Sequence, residues 1–359
     1  MSTLTINELK PGMKLNNDVF TARGNLLLPK GKVLMPRDLK ILHAFMIDEI
    51  QNGIASTTAA PTTEMPLAES GIPAASRSAL RIKFEKCYTE MVQATKQAFQ
   101  SILAEELPIY KLRNQMEELL SYSREYNVLT FTPAYMKKEE YVYHNAVLTS
   151  LTSYRIAQWM NLPAKEWMQV AFAGLFHDIG NSKVDPDILH KPSQLTAQEH
   201  EEIQRHTLYG YELLKNVKGI TDGVRIAALQ HHEKVDGTGY PLRLHNSKIH
   251  VYARIVAVAD IFHAMTLSKY YRQAQSPYLV LEQLDSEAFG KLDPMIVTTF
   301  VHKVTQFHNG TRVRLSNGMV GRIIFSDRDH PTRPLIAVGE TIYNLMENRK
   351  LHIQAVIPG

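Results

Sequence analysis

Side chains that commonly bind metals recur along the middle of this chain at intervals that constrain its fold. The set comprises His177, Asp178, His206, His231, His232 and Asp260. Imidazole and carboxylate groups together suit divalent transition metals. Because successive helices could carry these groups to one point, the spacing favours a bundle of helices around a shared metal centre.

Histidines are concentrated in the same part of the sequence. Ten of the 15 histidines lie between His144 and His263, which is more than the packing of a helical bundle requires. Each candidate alone has a simpler interpretation: His144 as a hydrogen-bonded core residue, Asp178 as a helix cap, and the 231–232 pair as a solvated helix end. Asp260 follows the apolar run 253–259, where an unpaired charge would be costly. As a set they predict metal binding. Five other histidines are interpreted as structural or surface residues: His190, His200, His245, His250 and His263.

Helix geometry predicts how these ligands would be shared. Neighbouring helical residues point about 100° apart, so His177 can bind one ion while Asp178 bridges to a second. Glu140 lies four residues before His144 and shares its helix face, which makes a third ion possible. All candidate ligands offer nitrogen or oxygen, and Cys87 is the only cysteine, so a thiolate site is excluded. Iron or manganese is favoured, with cobalt or nickel as alternatives.

The chain divides by composition into four segments and is predicted to be mainly α. Residues 1–53 are punctuated by glycine and proline and predict a small β-rich unit; residues 54–79 are small and polar and predict a flexible linker. Residues 80–305 predict a multi-helix bundle, in which Asp185, Ser276 and Asp293 each precede a proline that can start a helix. Residues 306–359 predict a second β-rich unit with a hairpin turn at Asn317-Gly318.

Composition narrows the functional classes. A net charge of +4 over 359 residues argues against a polymer of nucleic acid as partner but allows a small anionic substrate. The first residues lack the apolar core of a signal peptide, and no apolar run reaches the about 20 residues that span a bilayer. These features predict a cytoplasmic protein without a membrane span.

Two motifs carry a resemblance to a known family. The stretches His177–Gly180 (HDIG) and His231–Pro241 (HHEKVDGTGYP) resemble the HD-GYP family, a subset of the HD phosphohydrolases. The similarity runs from about Glu139 to Pro294. It also includes Lys191-Pro192, His206, Ala253–Asp260 and Tyr271-Arg272.

The resemblance implies a fold and an activity. Members are helical HD-type bundles that hydrolyse cyclic di-GMP in bacterial signalling, using two or three divalent metals, commonly iron or manganese. The product would be linear pGpG, GMP or both. The metal roles would fall on His177, Asp178, His206, His231, His232 and Asp260, with His144 and Glu140 as additional ligands. The loop Gly237–Pro241 would be a contact for partner signalling proteins such as diguanylate cyclase domains.

Two departures from the family pattern bear on catalysis. The motif usually continues with a lysine near the scissile phosphate, but this chain has Asn181 there and Lys183 two residues later. A missing cation would weaken stabilisation of the transition state. His263 stands where a second aspartate is usual. We therefore expect Asp178 and Lys183 to be the catalytic residues, provided that Lys183 takes the place of the missing lysine.

Further residues are candidates for substrate contacts. Lys183, Lys269 and Arg272 are candidate phosphate clamps, and Tyr240 is a candidate for stacking on guanine or for holding its loop. The terminal β-rich units are interpreted as packing or dimerisation elements, which allows a homodimer. Arg312, Arg314 and Arg322 form either an anion patch or a solvated strand face.

Three functions remain open from the sequence. The first is metal-dependent hydrolysis of cyclic di-GMP. The second, motivated by Asn181, is a module that binds metal and cyclic dinucleotide, or docks a partner, with little turnover. The third is hydrolysis of another cyclic dinucleotide.

Overall fold

Helices dominate the middle of the chain in the computed structural model. The structure describes residues 3–5, 8–20, 26–44, 47, 49–51, 74–104, 106–133, 136–189, 191, 193–268, 273–288, 290–306 and 310–357. The chain groups into two compact units, one of residues 73–305 and one that combines 1–72 with 306–359. The prediction of a mainly α fold with small β-rich parts at both ends is confirmed.

Eleven of the described α-helices form the helical unit. They are α2 (Ala74–Ser101), α3 (Ile109–Ser121), α4 (Tyr141–Trp159), α5 (Ala164–Phe176), α6 (Pro186–Leu189), α7 (Ala197–Gln204), α8 (His206–Leu214), α9 (Asp222–Gln230), α10 (Val251–Thr266), α11 (Pro277–Glu287) and α12 (Pro294–Val304). Short 3₁₀ turns connect several of them, at Ser123–Glu125, Lys138–Glu140, Ile179–Lys183 and Asn246–Lys248. None of the described helices is both long and apolar enough to cross a lipid bilayer.

The starts of several helices follow from local sequence. Thr196 accepts a hydrogen bond from the Glu199 amide while Glu199 accepts one from the Thr196 amide, which is the capping box that its spacing predicts. Asp293 caps α12 through the amides of residues 295 and 296, with Pro294 at the first helical position. These caps fix where each helix enters the bundle.

The core of the helical unit draws mainly on α2, α3, α4 and α5. Helices α4 and α5 pack closely against each other within it. Gly174 allows their close approach, since a Cβ there would lie 2.8 Å from the backbone of Ser150. Phe172 and Phe176 stack on each other within this core, with ring centroids 5.6 Å apart, and both are fully buried. The end of α5, where the HDIG motif begins, is therefore held deep inside the unit.

The second unit is built from both ends of the chain. Its first part contains β1 (Thr3–Thr5), β2 (Val19–Phe20), β3 (Leu26–Leu28), α1 (Pro36–Ala44) and β4 (Glu49–Gln51). Its last part is a five-stranded antiparallel sheet of β5 (Arg312–Leu315), β6 (Val320–Phe325), β7 (Leu335–Val338), β8 (Thr341–Asn344) and β9 (Ile353–Val356), in the order β8-β7-β6-β5-β9. Two further pairs, β1 with β4 and β2 with β3, are also antiparallel.

Two domain predictions are corrected by these findings. Helix α2 begins at Ala74, so residues 74–79 are helical and do not belong to the predicted 54–79 linker; of that stretch, residues 54–73 lie outside the described residues. The terminal segments are not two separate accessories. Ile324, Phe325 and Ile342 of the last segment pack against the core formed by the first segment, so the two segments share one compact unit.

Candidate metal centre

The HDIG motif places two candidate ligands at a sharp change of direction. Helix α5 ends at Phe176. His177 comes next and still has helical backbone angles, and Asp178 directly precedes the 3₁₀ turn of residues 179–183. His177 Nε2 lies 3.5 Å from Asp178 Oδ2, and the ring is fully buried. The adjacent pair therefore presents an imidazole and a carboxylate toward the same point.

A glycine brings His206 to this pair. A Cβ on Gly180 would lie 1.9 Å from the carbonyl oxygen of His206, a distance that no side chain could occupy. Only glycine lets the 3₁₀ turn lie against the start of α8 in this way. As a result, His206 Nε2 lies 3.3 Å from Asp178 Oδ1.

The second histidine pair closes the other side of Asp178. His231 ends α9, and its Nε2 lies 3.7 Å from Asp178 Oδ1 and 3.3 Å from His206 Nε2. The ring centroid of His232 lies 5.0 Å from that of His206. One ligand atom from each of Asp178, His206, His231 and His232 lies within 4.8 Å of the others. We call these four residues, with His177 and Asp260, the metal cluster.

Asp260 approaches from α10, whose preceding turns are apolar and buried. Its Oδ1 lies 3.4 Å from His177 Nε2 and accepts a hydrogen bond of 2.8 Å from the side-chain amide of Asn145. Asn145 is buried on α4 and was not identified from the sequence. Its only signal there is its place beside His144, which by itself does not single it out.

Three imidazoles of the cluster are held in the same way. The Nδ1 atoms of His177, His206 and His231 lie 2.8 Å, 2.6 Å and 3.0 Å from the backbone carbonyls of Gly174, Ile203 and Ala228. A carbonyl only accepts, so each Nδ1 donates, and the unprotonated Nε2 of a neutral ring then faces the centre. Such backbone anchoring fixes the tautomer of metal-binding histidines in proteins.

Electrostatics favour the protonation states that metal binding requires. Burial opposes ionisation of Asp178, but the neighbouring imidazoles, His177 first, outweigh it and hold the pKa of this carboxyl well below its usual range. Burial, with His231 and His206 nearby, holds the pKa of His232 well below its usual range. Burial also lowers the pKa of His206. The carboxylate is therefore charged and these two rings are neutral at pH 7.

His177 behaves differently and shows that the cluster suits a cation. Burial disfavours its charged form, yet the carboxylates of Asp178 and Asp260 raise its pKa well above the usual range. Its Nε2 is buried without a hydrogen-bond partner among the described groups. Two carboxylates thus stabilise positive charge at a buried nitrogen that has no hydrogen-bond partner. A divalent metal ion, held by the neutral imidazole and the two carboxylates, supplies such a charge.

Tyr240 covers one side of the cluster. Its ring stacks on that of His232, with centroids 4.8 Å apart and an angle of 27°. Burial and the nearby carboxylates raise the pKa of its phenol, which is protonated at neutral pH. The stretch 231–241 therefore supplies two candidate metal ligands and a side chain that covers one of them.

Backbone contacts hold this loop in place. Buried Glu233 accepts hydrogen bonds from the amides of Leu242 and Leu244 at 2.6 and 2.9 Å. Gly239 is required because a Cβ would lie 2.5 Å from Glu233 Cα. The motif is thus a structured turn, and the role of Glu233 in it was missed from the sequence.

The two predicted additional ligands have other partners. Glu140 forms an ion pair with Lys96 at 2.8 Å, and His144 Nδ1 lies 2.8 Å from the hydroxyl of Tyr88. Among the described residues, no recorded contact joins Glu140 or His144 to the metal cluster. A third ion bound by this pair stays a prediction.

The structure describes one of the three predicted substrate and catalytic cations. Lys183 is exposed, and its Nζ lies 5.8 Å from the ring centroid of Tyr209. Lys269 and Arg272 lie outside the described residues. Inside the core, His263 Nε2 and Thr152 Oγ1 form a hydrogen bond of 2.7 Å, in keeping with the structural role expected for His263.

Comparison with known proteins decides the family. The profile of the HD domain family matches residues 112–296, which is half of the chain. The chain belongs to the HD domain family. The recognition made from the HDIG and 231–241 motifs is therefore confirmed, and the matched range contains every residue of the metal cluster.

Several curated relatives share this HD domain. The cyclic di-GMP phosphodiesterase PA4108 of Pseudomonas aeruginosa is 32% identical over 186 residues, 52% of this chain and 45% of its own length. The cyclic di-GMP phosphodiesterase response regulator RpfG of Xanthomonas campestris is 36% identical over 144 residues, 40% of this chain and 38% of its own length. The 3'3'-cGAMP-specific phosphodiesterase 2 of Vibrio cholerae is 32% identical over 154 residues, 43% of this chain and 30% of its own length. The chain thus spans less than half the length of these relatives.

Proposed function

We propose that this HD domain hydrolyses the phosphodiester bonds of cyclic di-GMP in a metal-dependent reaction. The observation that carries the proposal is the position of Asp178 between two sets of imidazoles. Its Oδ2 faces His177, while its Oδ1 faces His206 and His231. A single carboxylate that faces ligands on both sides can bridge two ions. The names of PA4108 and RpfG support cyclic di-GMP as the substrate.

The residues divide into two half-sites. His177, Asp178 Oδ2 and Asp260 would hold one ion, and Asp178 Oδ1, His206, His231 and His232 would hold the other. When bound, two divalent ions provide Lewis acidity and lower the pKa of water, so that a nucleophile is available near neutral pH. Iron or manganese is the metal we propose, because the donor set contains only imidazole and carboxylate.

The chain's own groups position the reaction. Asn145 orients Asp260 through its amide, and the backbone carbonyls fix the three imidazole tautomers. Tyr240 shields His232 from one side and offers a protonated phenol beside the site. These contacts keep the ligands rigid, which is what preorganised electrostatic stabilisation requires.

Lys183, Lys269 and Arg272 stay proposals as phosphate contacts. Linear pGpG, GMP or both are the products we expect. Docking of diguanylate cyclase domains at Gly237–Pro241, a homodimer and a cytoplasmic location likewise remain predictions from the sequence.

A second substrate is favoured by one finding. The relative from Vibrio cholerae is named as specific for 3'3'-cGAMP and has a similar level of identity. Both cyclic dinucleotides present the same phosphodiester to the metals and differ only in one base. The substrate panel should therefore contain both.

The decisive experiment compares two carboxylate variants. The full chain is purified without oxygen, loaded with iron or manganese, and incubated with cyclic di-GMP or 3'3'-cGAMP before chromatography of the products. Asp178→Ala should lower turnover on the order of a thousand-fold, since it removes the one carboxylate that would serve both half-sites. Asp187→Ala removes an exposed carboxylate nearby and should leave turnover unchanged.

Two results would contradict the proposal. Turnover by Asp178→Ala at the level of the parent chain would show that this carboxylate does not organise the site. Stoichiometric binding of cyclic dinucleotide and metal by the parent chain with no cleavage would identify a binding module instead, the role that Asn181 motivates.

A further inference from the structure

A large open cavity lies within the unit formed by the two ends of the chain. It has a volume of about 1040 Å³ and lies between the start of α1 and one face of the five-stranded sheet. Lys32, Pro36 and Ile41 line it on the α1 side, and Arg312, Arg322 and Ile342 line it on the sheet side. Its size matches that of pockets for small ligands.

Strand register places the two arginines side by side. Arg312 of β5 is paired with Arg322 of β6, Arg322 with Ala337 of β7, and Ala337 with Ile342 of β8. Paired residues point to the same face of a sheet. The row therefore runs from two cations at one end to two apolar side chains at the other.

Two like charges directly opposite each other on a sheet destabilise it. No recorded ion pair joins Arg312 or Arg322 to a carboxylate in the part of the chain that the structure describes. Asp38 also lines the cavity, but it is fully buried, pairs with Lys32 at 2.9 Å and accepts a hydrogen bond from the Met35 amide at 2.8 Å. Glu340 is exposed at the rim.

A neighbouring arginine on the same strand lies just outside the cavity. Arg314 lies two residues from Arg312 on the same strand and is also exposed, but it does not line the cavity. Arg312 and Arg322 instead face a concave wall that includes Val320, Ile324 and Ile342. Guanidinium groups beside an apolar wall suit a ligand that carries both phosphate and a flat organic part.

We propose that this cavity binds a small phosphorylated ligand of nucleotide size, separate from the metal cluster. Arg312 and Arg322 contact its phosphate, and the apolar end of the row, Ala337 and Ile342, contacts its base. The ligand's negative charge offsets the repulsion between the two guanidinium groups.

The test uses the fluorescent nucleotide mant-GMP and the full, metal-loaded chain. Fluorescence anisotropy should rise to saturation as the chain is titrated, and Asp178→Ala should bind the probe equally well. The double variant Arg312→Ala/Arg322→Ala should weaken binding at least about ten-fold, because charge-assisted contacts to phosphate are lost. Inorganic pyrophosphate should displace the probe.

Two further variants separate specific binding from surface charge. Arg314→Ala removes the same charge from the same strand and should change affinity by less than about two-fold, as expected for a screened surface charge. Val320→Glu keeps both arginines but adds a negative charge to the cavity, and should weaken binding as strongly as the double variant. Circular dichroism melting curves verify that each variant is folded.

Four outcomes would overturn the proposal. They are an absence of saturable binding, a loss of binding in Asp178→Ala, an equal loss in Arg314→Ala, and full retention in the double variant. Loss of binding in Asp178→Ala would mean that the probe binds at the metal cluster. An equal loss in Arg314→Ala would mean that it binds through general surface charge.

Discussion

Histidines of the helical unit occupy two kinds of environment. In the metal cluster, His177, His206 and His231 donate from Nδ1 to backbone carbonyls and turn Nε2 toward carboxylates. In the core, His144 and His263 instead meet the hydroxyls of Tyr88 and Thr152. A ring that donates from Nδ1 to the backbone leaves Nε2 available for a metal, whereas the hydroxyl partners of His144 and His263 join these two rings to neighbouring side chains of the core.

The strongest test of this difference removes one anchored ring. His231→Ala should abolish binding of the ion that His206, His231 and Asp178 would hold, and should lower turnover on the order of a thousand-fold. Metal content by atomic absorption and product chromatography measure both effects. His200→Ala, which removes an exposed histidine of α7, should match the parent chain. An equal loss there would mean that the effect is not specific to the anchored rings.

The next test moves the anchored rings without removing any ligand. Gly180→Ala places a Cβ against the His206 carbonyl, and such overpacking should cost about 1–3 kcal/mol or more in unfolding free energy. It should also weaken metal binding, because His206 is displaced from Asp178. Gly210→Ala faces the same turn from α8, but its Cβ would lie 3.5 Å from the Gly180 amide nitrogen and 3.4 Å from Ala228 Cβ, which are ordinary contacts. This variant should be close to neutral. Similar stability in both variants would show that the close approach is unnecessary.

A core histidine should affect stability and its pH dependence instead of metal binding. Burial lowers the pKa of His263 to about 3, while the unfolded chain protonates it near pH 6.5. Between these pH values the unfolded state therefore binds more protons than the folded state. The stability that the neutral, buried His263 contributes is complete above about pH 6.5 and is lost as pH falls toward about 3.

His263→Gln removes that titration and disturbs the two buried hydrogen-bond contacts of Nε2, with Thr152 and Tyr126. The variant should lose about 1–3 kcal/mol at neutral pH, and its stability should fall less steeply than that of the parent chain between about pH 7 and about pH 4. Urea unfolding of the metal-free chains at each pH measures the difference. Parallel curves would contradict a neutral buried His263, and reduced metal content in the loaded variant would place it with the cluster.

The smallest effect is expected at the Lys96–Glu140 pair. Glu140→Gln should change the unfolding free energy by less than about 1 kcal/mol, because the pair is partly exposed, and should leave the bound metal unchanged. Metal analysis of the loaded chain is the measurement. Loss of one ion per chain would instead show that Glu140 binds a third metal, as the sequence predicts.

Local patterns in the sequence were enough for the helical fold and for the residues of the cluster. Adjacent ligands at His177-Asp178 and His231-His232 indicate a centre because a helix end can present both side chains to one point. Caps such as Thr196 and Asp293 act within one turn and can be read directly.

Features that depend on long-range contacts could not be predicted in this way. Asn145 reaches Asp260 across 115 positions of sequence, and the requirement for Gly180 depends on where α8 starts. The joining of the two terminal segments depends on apolar contacts between residues some 300 positions apart, such as those of Ile342 with the first segment's core. No local pattern records such pairings.

The shared core of the terminal segments has a consequence for synthesis on the ribosome. The chain is made from its N-terminus, yet Leu15, Leu28 and Leu34 belong to a core that Ile324 and Ile342 help to enclose. The helical unit emerges and can fold before those partners exist. The first segment therefore keeps apolar surface exposed until Ile324 and Ile342 have been synthesised. A chain truncated before residue 320 would keep its metal ligands but leave that surface open to chaperones and proteases.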